Sequence, residues 1–228
     1  MRASNLAAPT VLPSERFRFI RDIAPVASVI RYPFVMVVNP SVPANSVPEF
    51  IAYAKANALN MASPGIGSGP HIAGELFKIM AGVDMVHVPY RGAGPSLTDL
   101  IGGRVQVTFE STPALIAHIR AGRVRALAVT TTTRSDALPH VATVGEFVPG
   151  YEVSYWSGIG APKNTPAEII DKLNREINAG LADPKLMRRL AELGALAFTS
   201  SPTELGKLIA DETEKWGKVI RAANIKLE

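Results

Sequence analysis

The 228-residue chain contains no cysteine, which removes disulfides, thiolate-held zinc, iron–sulfur clusters and thiol nucleophiles together. Aromatic residues make up only 7%, and the cations are dispersed, with small groupings at Arg188-Arg189 and at Arg120, Arg123 and Arg125. A net charge of +4 and a pI near 9.4 admit an anionic partner. Without aromatic side chains interleaved among basic ones, they do not describe a nucleic-acid surface. No stretch approaches the ~20 continuous apolar residues of a bilayer span. The apolar runs, such as 34–38, are strand length, so nothing reads as membrane-embedded. Residues 1–9 carry one early cation and no apolar block, and they do not read as an intact signal peptide.

What is present is material for a core: 47% apolar residues and a mean hydropathy of +0.15. A chain of this length hides roughly 70 to 75% of the surface it exposes unfolded. Short β-rich runs alternate with helical patterns, which predicts an α/β fold with largely parallel sheets. Strands are expected over 33–38, 60–62, 85–89, 105–109, 125–130, 151–159 and 195–199, with helices over 71–80, 96–101 and 113–121 between them. Ser46 to Glu49, Thr165 to Glu168 and Ser201 to Glu204 each fit a capping box. From Ser201, Leu205, Leu208, Ile209, Trp216 and Ile220 recur at helical spacing, so Trp216 reads as core rather than as a ligand-stacking ring.

Compact β-α units fill 40–150, whereas 165–228 holds three helices around one short strand. The aromatic stretch after Pro149-Gly150 separates them. This predicts two lobes, 1–39 with 152–228 as lobe I and 40–151 as lobe II, and two crossings imply a hinge.

The candidate site begins at Ser63-Pro64-Gly65-Ile66-Gly67-Ser68-Gly69, a glycine-rich turn between a strand and a helix. Such a turn lets backbone N–H groups point inward, and the helix adds the positive end of its dipole, so the expected chemistry is an anion cradle. The bland alternative is a tight strand-to-helix turn that binds nothing. Glycines at 65, 67 and 69 do not make the dinucleotide fingerprint, no lysine follows Gly69 as a P-loop needs, and Ile66 and Pro70 stand where a nucleophile elbow needs glycines. A second strand runs through Arg91-Gly92-Ala93-Gly94 into the next helix. Two such turns on adjacent parallel strands emerge at one edge, where open α/β sheets bind ligands. Arg91 either gives a carboxylate two hydrogen bonds or is simply solvated. Ser111 or Thr112 is placed to cap the following helix. Glu110 beside an anion pocket either repels a carboxylate or pairs with an amino group on the ligand. The histidines at 71, 87, 118 and 140 show no metal spacing and read as surface or capping residues, and no catalytic constellation or cofactor motif is evident.

Three stretches resemble the receptors of tripartite tricarboxylate transporters, often called Bug-type receptors: Ala73-Gly74-Glu75-Leu76-Phe77 with the turn before it, Val86 to Pro95 with Leu97-Thr98-Asp99-Leu100, and Ala121 to Thr130. Lys215-Trp216-Gly217-Lys218-Val219-Ile220 matches as well, so the similarity runs over about residues 20–225. The resemblance implies a periplasmic-binding-protein-like fold of two lobes, a periplasmic location, no catalysis and no cofactor. Such a receptor hands a small organic acid, a carboxylate or a related molecule, to a membrane permease. In the family, turns from both lobes hold the ligand carboxylate through amides, hydroxyls and ordered water. The matching positions are Ser63, Gly65, Gly67, Ser68 and Gly69, with Arg91, Gly92, Ala93, Gly94 and Ser111 as further transfers. Pro64 and Ile66 depart from the small or amide side chains of relatives. Relatives also begin with a β-α segment carrying another carboxylate-binding turn, so lobe I is expected to be incomplete at its N-terminus and dicarboxylate binding by this chain alone to be weak. A sensory or partner-binding module of the same fold, or an α/β enzyme, are the alternatives.

Overall fold

The computed structural model describes residues 19–225; the reading of residues 1–9 lies outside them. After a helical turn at Phe19–Asp22, the long strand β1 (Ile23–Val38) forms the spine. Its first part pairs antiparallel with β7 (Ser154–Pro162) up to Pro33 and with β8 (Leu196–Ala197) at Ile30 and Arg31. From Phe34 onward its partners are β4 (Val107–Ser111) and β5 (Arg125–Val129). Tyr32 lies flat on Tyr155 of β7, with ring centroids 4.4 Å apart, one residue before this change of partner.

The sequence pattern predicts β1 only over 33–38. Those residues are recognisable because Phe34 to Val38 are all buried, and a strand covered on both faces reads as a continuous apolar run. Phe34, Met36 and Val38 enter one core with Phe50, Phe77, Phe109, Tyr151 and Trp216. Val35 and Val37 enter a second with Leu97, Leu100, Leu115 and Val129. Register shifts after Pro25 and Ser28 break the alternation of the first part, as bulges do.

Helices α1 (Val47–Ala56), α2 (Gly69–Ala81), α3 (Ala93–Ile101) and α4 (Thr112–Arg120) connect β1, β2 (Asn60–Ser63), β3 (Val86–Pro89), β4 and β5 in turn. The order is β3-β2-β4-β1-β5-β6, with β6 at Ala142–Thr143. The expected α/β fold forms, but its sheet is mixed rather than largely parallel. The pairings of β2 with β3, β2 with β4 and β5 with β6 are parallel, while β1 is antiparallel to all four strands that it touches. Parallel strands need a crossover connection, which helices α2, α3 and α4 supply from β2 to β5, whereas β1, although joined to β2 through α1, runs opposite to them.

Three helices complete the described chain: α5 (Ala167–Leu181), α6 (Pro184–Glu192) and α7 (Pro202–Ala222). The box at Ser201 and Glu204 forms in full. Ser46 accepts the Glu49 amide, but Glu49 returns its carboxylate to Asn45 instead of to Ser46. The expected box at Thr165 does not form: the Thr165 amide closes a turn onto the Pro162 carbonyl, and α5 starts after Pro166 with no side-chain cap. Trp216 is fully buried and donates Nε1 to Glu212 at 2.6 Å, so the last turns of α7 belong to the larger core.

Candidate ligand turn

Strands β3 and β4 flank β2 and run parallel to it, with Met61 opposite both His87 and Val107. Their carboxyl ends therefore emerge together, and the sequence-predicted residues 63–69, 91–94 and 111 lie along one sheet edge. The first two groups are tied directly: the Tyr90 amide donates to the Ser63 carbonyl at 2.9 Å, and the Gly92 amide to the Pro64 carbonyl at 3.0 Å.

Within the first turn, Gly67 has φ 72°, a left-handed conformation that a side chain would strain. Ser68 caps α2: its hydroxyl receives the His71 amide at 3.4 Å and donates to the Gly65 carbonyl at 2.7 Å. The Ser63 hydroxyl contacts the same carbonyl at 3.0 Å. The expected picture of amides converging on a ligand needs correction here. The Gly65 amide is given to Ser63 Oγ, the Gly67 amide to His71 Nδ1 and the Ser68 amide to the Gly65 carbonyl. The amides of Ile66 and Gly69 take no acceptor among the described residues. Gly69 is the first residue of α2, where orphan N–H groups and the helix dipole favour an anion.

In the second turn Gly92 (φ 114°) precedes α3 with no side-chain cap, so Ala93 and Gly94 open that helix with their amides free of an acceptor among the described residues. Arg91 is exposed and forms no ion pair among them. Behind the turn, Tyr90 donates to Asp99 at 2.8 Å and Arg104 pairs with the same carboxylate.

Ser111 starts α4 but makes no side-chain cap, and Thr112 Oγ1 donates instead to the Pro33 carbonyl at 3.0 Å. The expected capping hydroxyl is thus absent from both residues. Glu110 turns inward, 4% exposed; Oε1 accepts the Ser111 amide at 2.7 Å, whereas buried Oε2 has no partner among the described residues. Burial pushes its carboxyl pKa up.

The reading of the histidines as surface or capping residues holds for exposed His140 and is corrected for His71 and His87. His71 is 5% exposed and stacks on His87 beneath the turn. Its position four residues after Gly67 is visible in the sequence, but the approach of His87 depends on the β2–β3 register.

A separate cavity of about 170 Å³ opens where β1 changes partner, lined in part by Arg31, Tyr32, Thr131, Arg134 and Leu196. Its guanidiniums are engaged, Arg31 by Glu152 and Arg134 by Glu146. None of the sequence-predicted site residues lines it. No group of three or more metal-ligating side chains occurs, and no helix is long and apolar enough to cross a membrane, among the described residues.

Comparison with known proteins agrees with this architecture. The UPF0065 protein in the tcbD-tcbE intergenic region of Pseudomonas sp. (strain P51) is 37% identical over 212 residues, covering 91% of this chain and 63% of that protein. Protein BugT of Bordetella pertussis is 36% identical over 222 residues, covering 96% and 68%. The chain thus spans about two thirds of the length of these relatives. Rpa4515 of R. palustris, solved with adipate, superposes with a TM-score of 0.87 at 37% identity, covering 96% of this chain and 74% of that one. MatC of Rhodopseudomonas palustris, with bound malate, gives 0.81 at 30% identity, covering 94% and 75%. The family described as tripartite tricarboxylate transporter family receptor matches residues 2–225, and the chain belongs to that family.

Proposed function

We propose that this chain is the ligand-capturing part of a periplasmic solute receptor, which takes a small organic carboxylate and presents it to the permease of a tripartite tricarboxylate-type transporter. The observation that carries this reading is the pair of joined turns along one sheet edge, in which the amides of Ile66, Gly69, Ala93 and Gly94 take no acceptor among the described residues. Backbone N–H groups at two helix N-termini suit a carboxylate and demand no charged side chain. Adipate and malate in two solved relatives support the same ligand class. The site is proposed to comprise Ser63, Gly65, Gly67, Ser68 and Gly69, with Arg91 to Gly94 and Ser111 beside them. Ser63, Gly65 and Gly67 act there as scaffold for the free amides. The two lobes, 1–39 with 152–228 and 40–151, would close about β1 and β7, where Tyr32 rests on Tyr155.

Hydrogen bonds to a charged group contribute about 1.5 to 3 kcal/mol each, and 1 mM affinity corresponds to about 4 kcal/mol, so two or three bonds give roughly millimolar binding. Calorimetry with adipate, and with its uncharged diamide as control, tests the reading. Heat from adipate alone supports it; equal heats, or none from either, contradict it.

A further inference from the structure

Two stacked imidazoles hold the glycine turn from beneath. His71 stands in the first turn of α2 and His87 in β3, with ring centroids 3.6 Å apart and planes 9° from parallel. The Gly67 amide donates to His71 Nδ1 at 3.0 Å, so that nitrogen carries a lone pair and the ring proton resides on Nε2. His71 Nε2 faces Glu75 Oε1 at 3.7 Å, and Glu75 also holds Lys78 at 3.1 Å. His87 Nε2 meets Ser63 Oγ at 2.6 Å, the hydroxyl that receives the Gly65 amide. Each ring therefore grips a different point of the turn.

A second proton on His71 would set Nδ1–H against the Gly67 N–H. A charge on either ring would face its stacked neighbour and Lys78. Burial first and these neighbours second push His71 down to about 3; burial and Lys78 push His87 down to about 4. Lys78 of α2 acts on both rings and His87 on His71, whereas Glu75, Ser63 and the groups of β4 and α7, which also pack on α2, contribute to neither shift.

We propose that His71 and His87 are positioning residues of the anion site: a neutral ring pair that occupies the Gly67 amide and the Ser63 hydroxyl, leaving the Ile66 and Gly69 amides for the ligand. The proposal rests on the reading of this turn as the ligand site. The rings do not touch the ligand; they decide which amides face it.

The test uses the full chain labelled with nitrogen-15 and adipate as the probe, with binding followed through backbone amide shifts. His71→Asn places a carboxamide oxygen near the position of Nδ1 and cannot become charged; His71→Leu keeps bulk without an acceptor. We expect His71→Leu to weaken adipate binding about tenfold and His71→Asn to stay within about threefold of wild type. Equal losses in both variants overturn the proposal and leave the rings as packing. Should His71→Leu fail to fold, His87→Gln against His87→Leu makes the same comparison at Ser63. If wild type shows no adipate response at the turn, the ligand reading fails, and the ring pair is decided separately. An Nε2–H tautomer on His71 with slow Gly67 amide exchange supports the clamp, whereas an Nδ1–H tautomer or fast exchange contradicts it.

Discussion

The Gly92 amide donates to the Pro64 carbonyl at 3.0 Å, binding the turn after β3 to the turn after β2. Because the two turns brace each other, the shape of one controls the site formed by both. Gly67 (φ 72°) and Gly82 (φ 62°), the C-terminal cap of α2, hold similar left-handed backbones. Gly67→Ala and Gly82→Ala should each cost about 1–2 kcal/mol in urea denaturation. Only Gly67→Ala should also weaken adipate binding in calorimetry, since Gly82 lies at the far end of the helix.

Glu110 gives a stability effect with a defined sign. Its folded pKa is raised by burial, so its contribution is fully present below the ordinary carboxyl value near 4.5 and is lost as pH rises through the folded value. Glu110→Gln keeps the acceptor for the Ser111 amide and removes the charge. The variant should therefore melt above wild type at pH 7 and converge with it near pH 4, as thermal denaturation at several pH values will reveal.

The histidines act with the opposite sign. Both folded values, about 3 and about 4, lie below the ordinary 6.5, so between them and 6.5 the unfolded chain binds more protons. Stability from the uncharged rings is present above about 6.5 and is lost as pH falls toward 4. In a Glu110→Gln background, the combined His71→Asn and His87→Gln changes should flatten the fall in melting temperature between pH 6.5 and 4.

Two serine or threonine caps that look alike in sequence differ in the fold. Ser201→Ala removes a hydroxyl that accepts the Glu204 amide at 3.2 Å and should cost about 1 kcal/mol. Thr165→Ala removes no cap and should stay within about 0.5 kcal/mol. Urea midpoints of the two variants make the comparison.

Features governed by local chemistry were legible in the sequence. The glycine turn, the buried half of β1, the packing face with Trp216 and the box at Ser201 each depend on residues near one another along the chain. The rest depends on register. The early half of β1 is masked by its bulges. The fate of the Gly67 amide turns on one ring nitrogen of His71, and His87 reaches Ser63 only once β2 and β3 are aligned. Thr165 fails as a cap because a preceding turn onto Pro162 already uses its backbone. Glu110 could be read as facing a ligand because strand alternation says which side of the sheet a residue takes, and not what covers it.

The most direct measurement is a nitrogen-15 amide titration of the chain with adipate. The account predicts saturable shifts concentrated at Ile66, Gly69, Ala93 and Gly94, with the uncharged diamide leaving them in place. Shifts confined to the cavity around Arg31 and Thr131, with the two glycine turns unmoved, would contradict it.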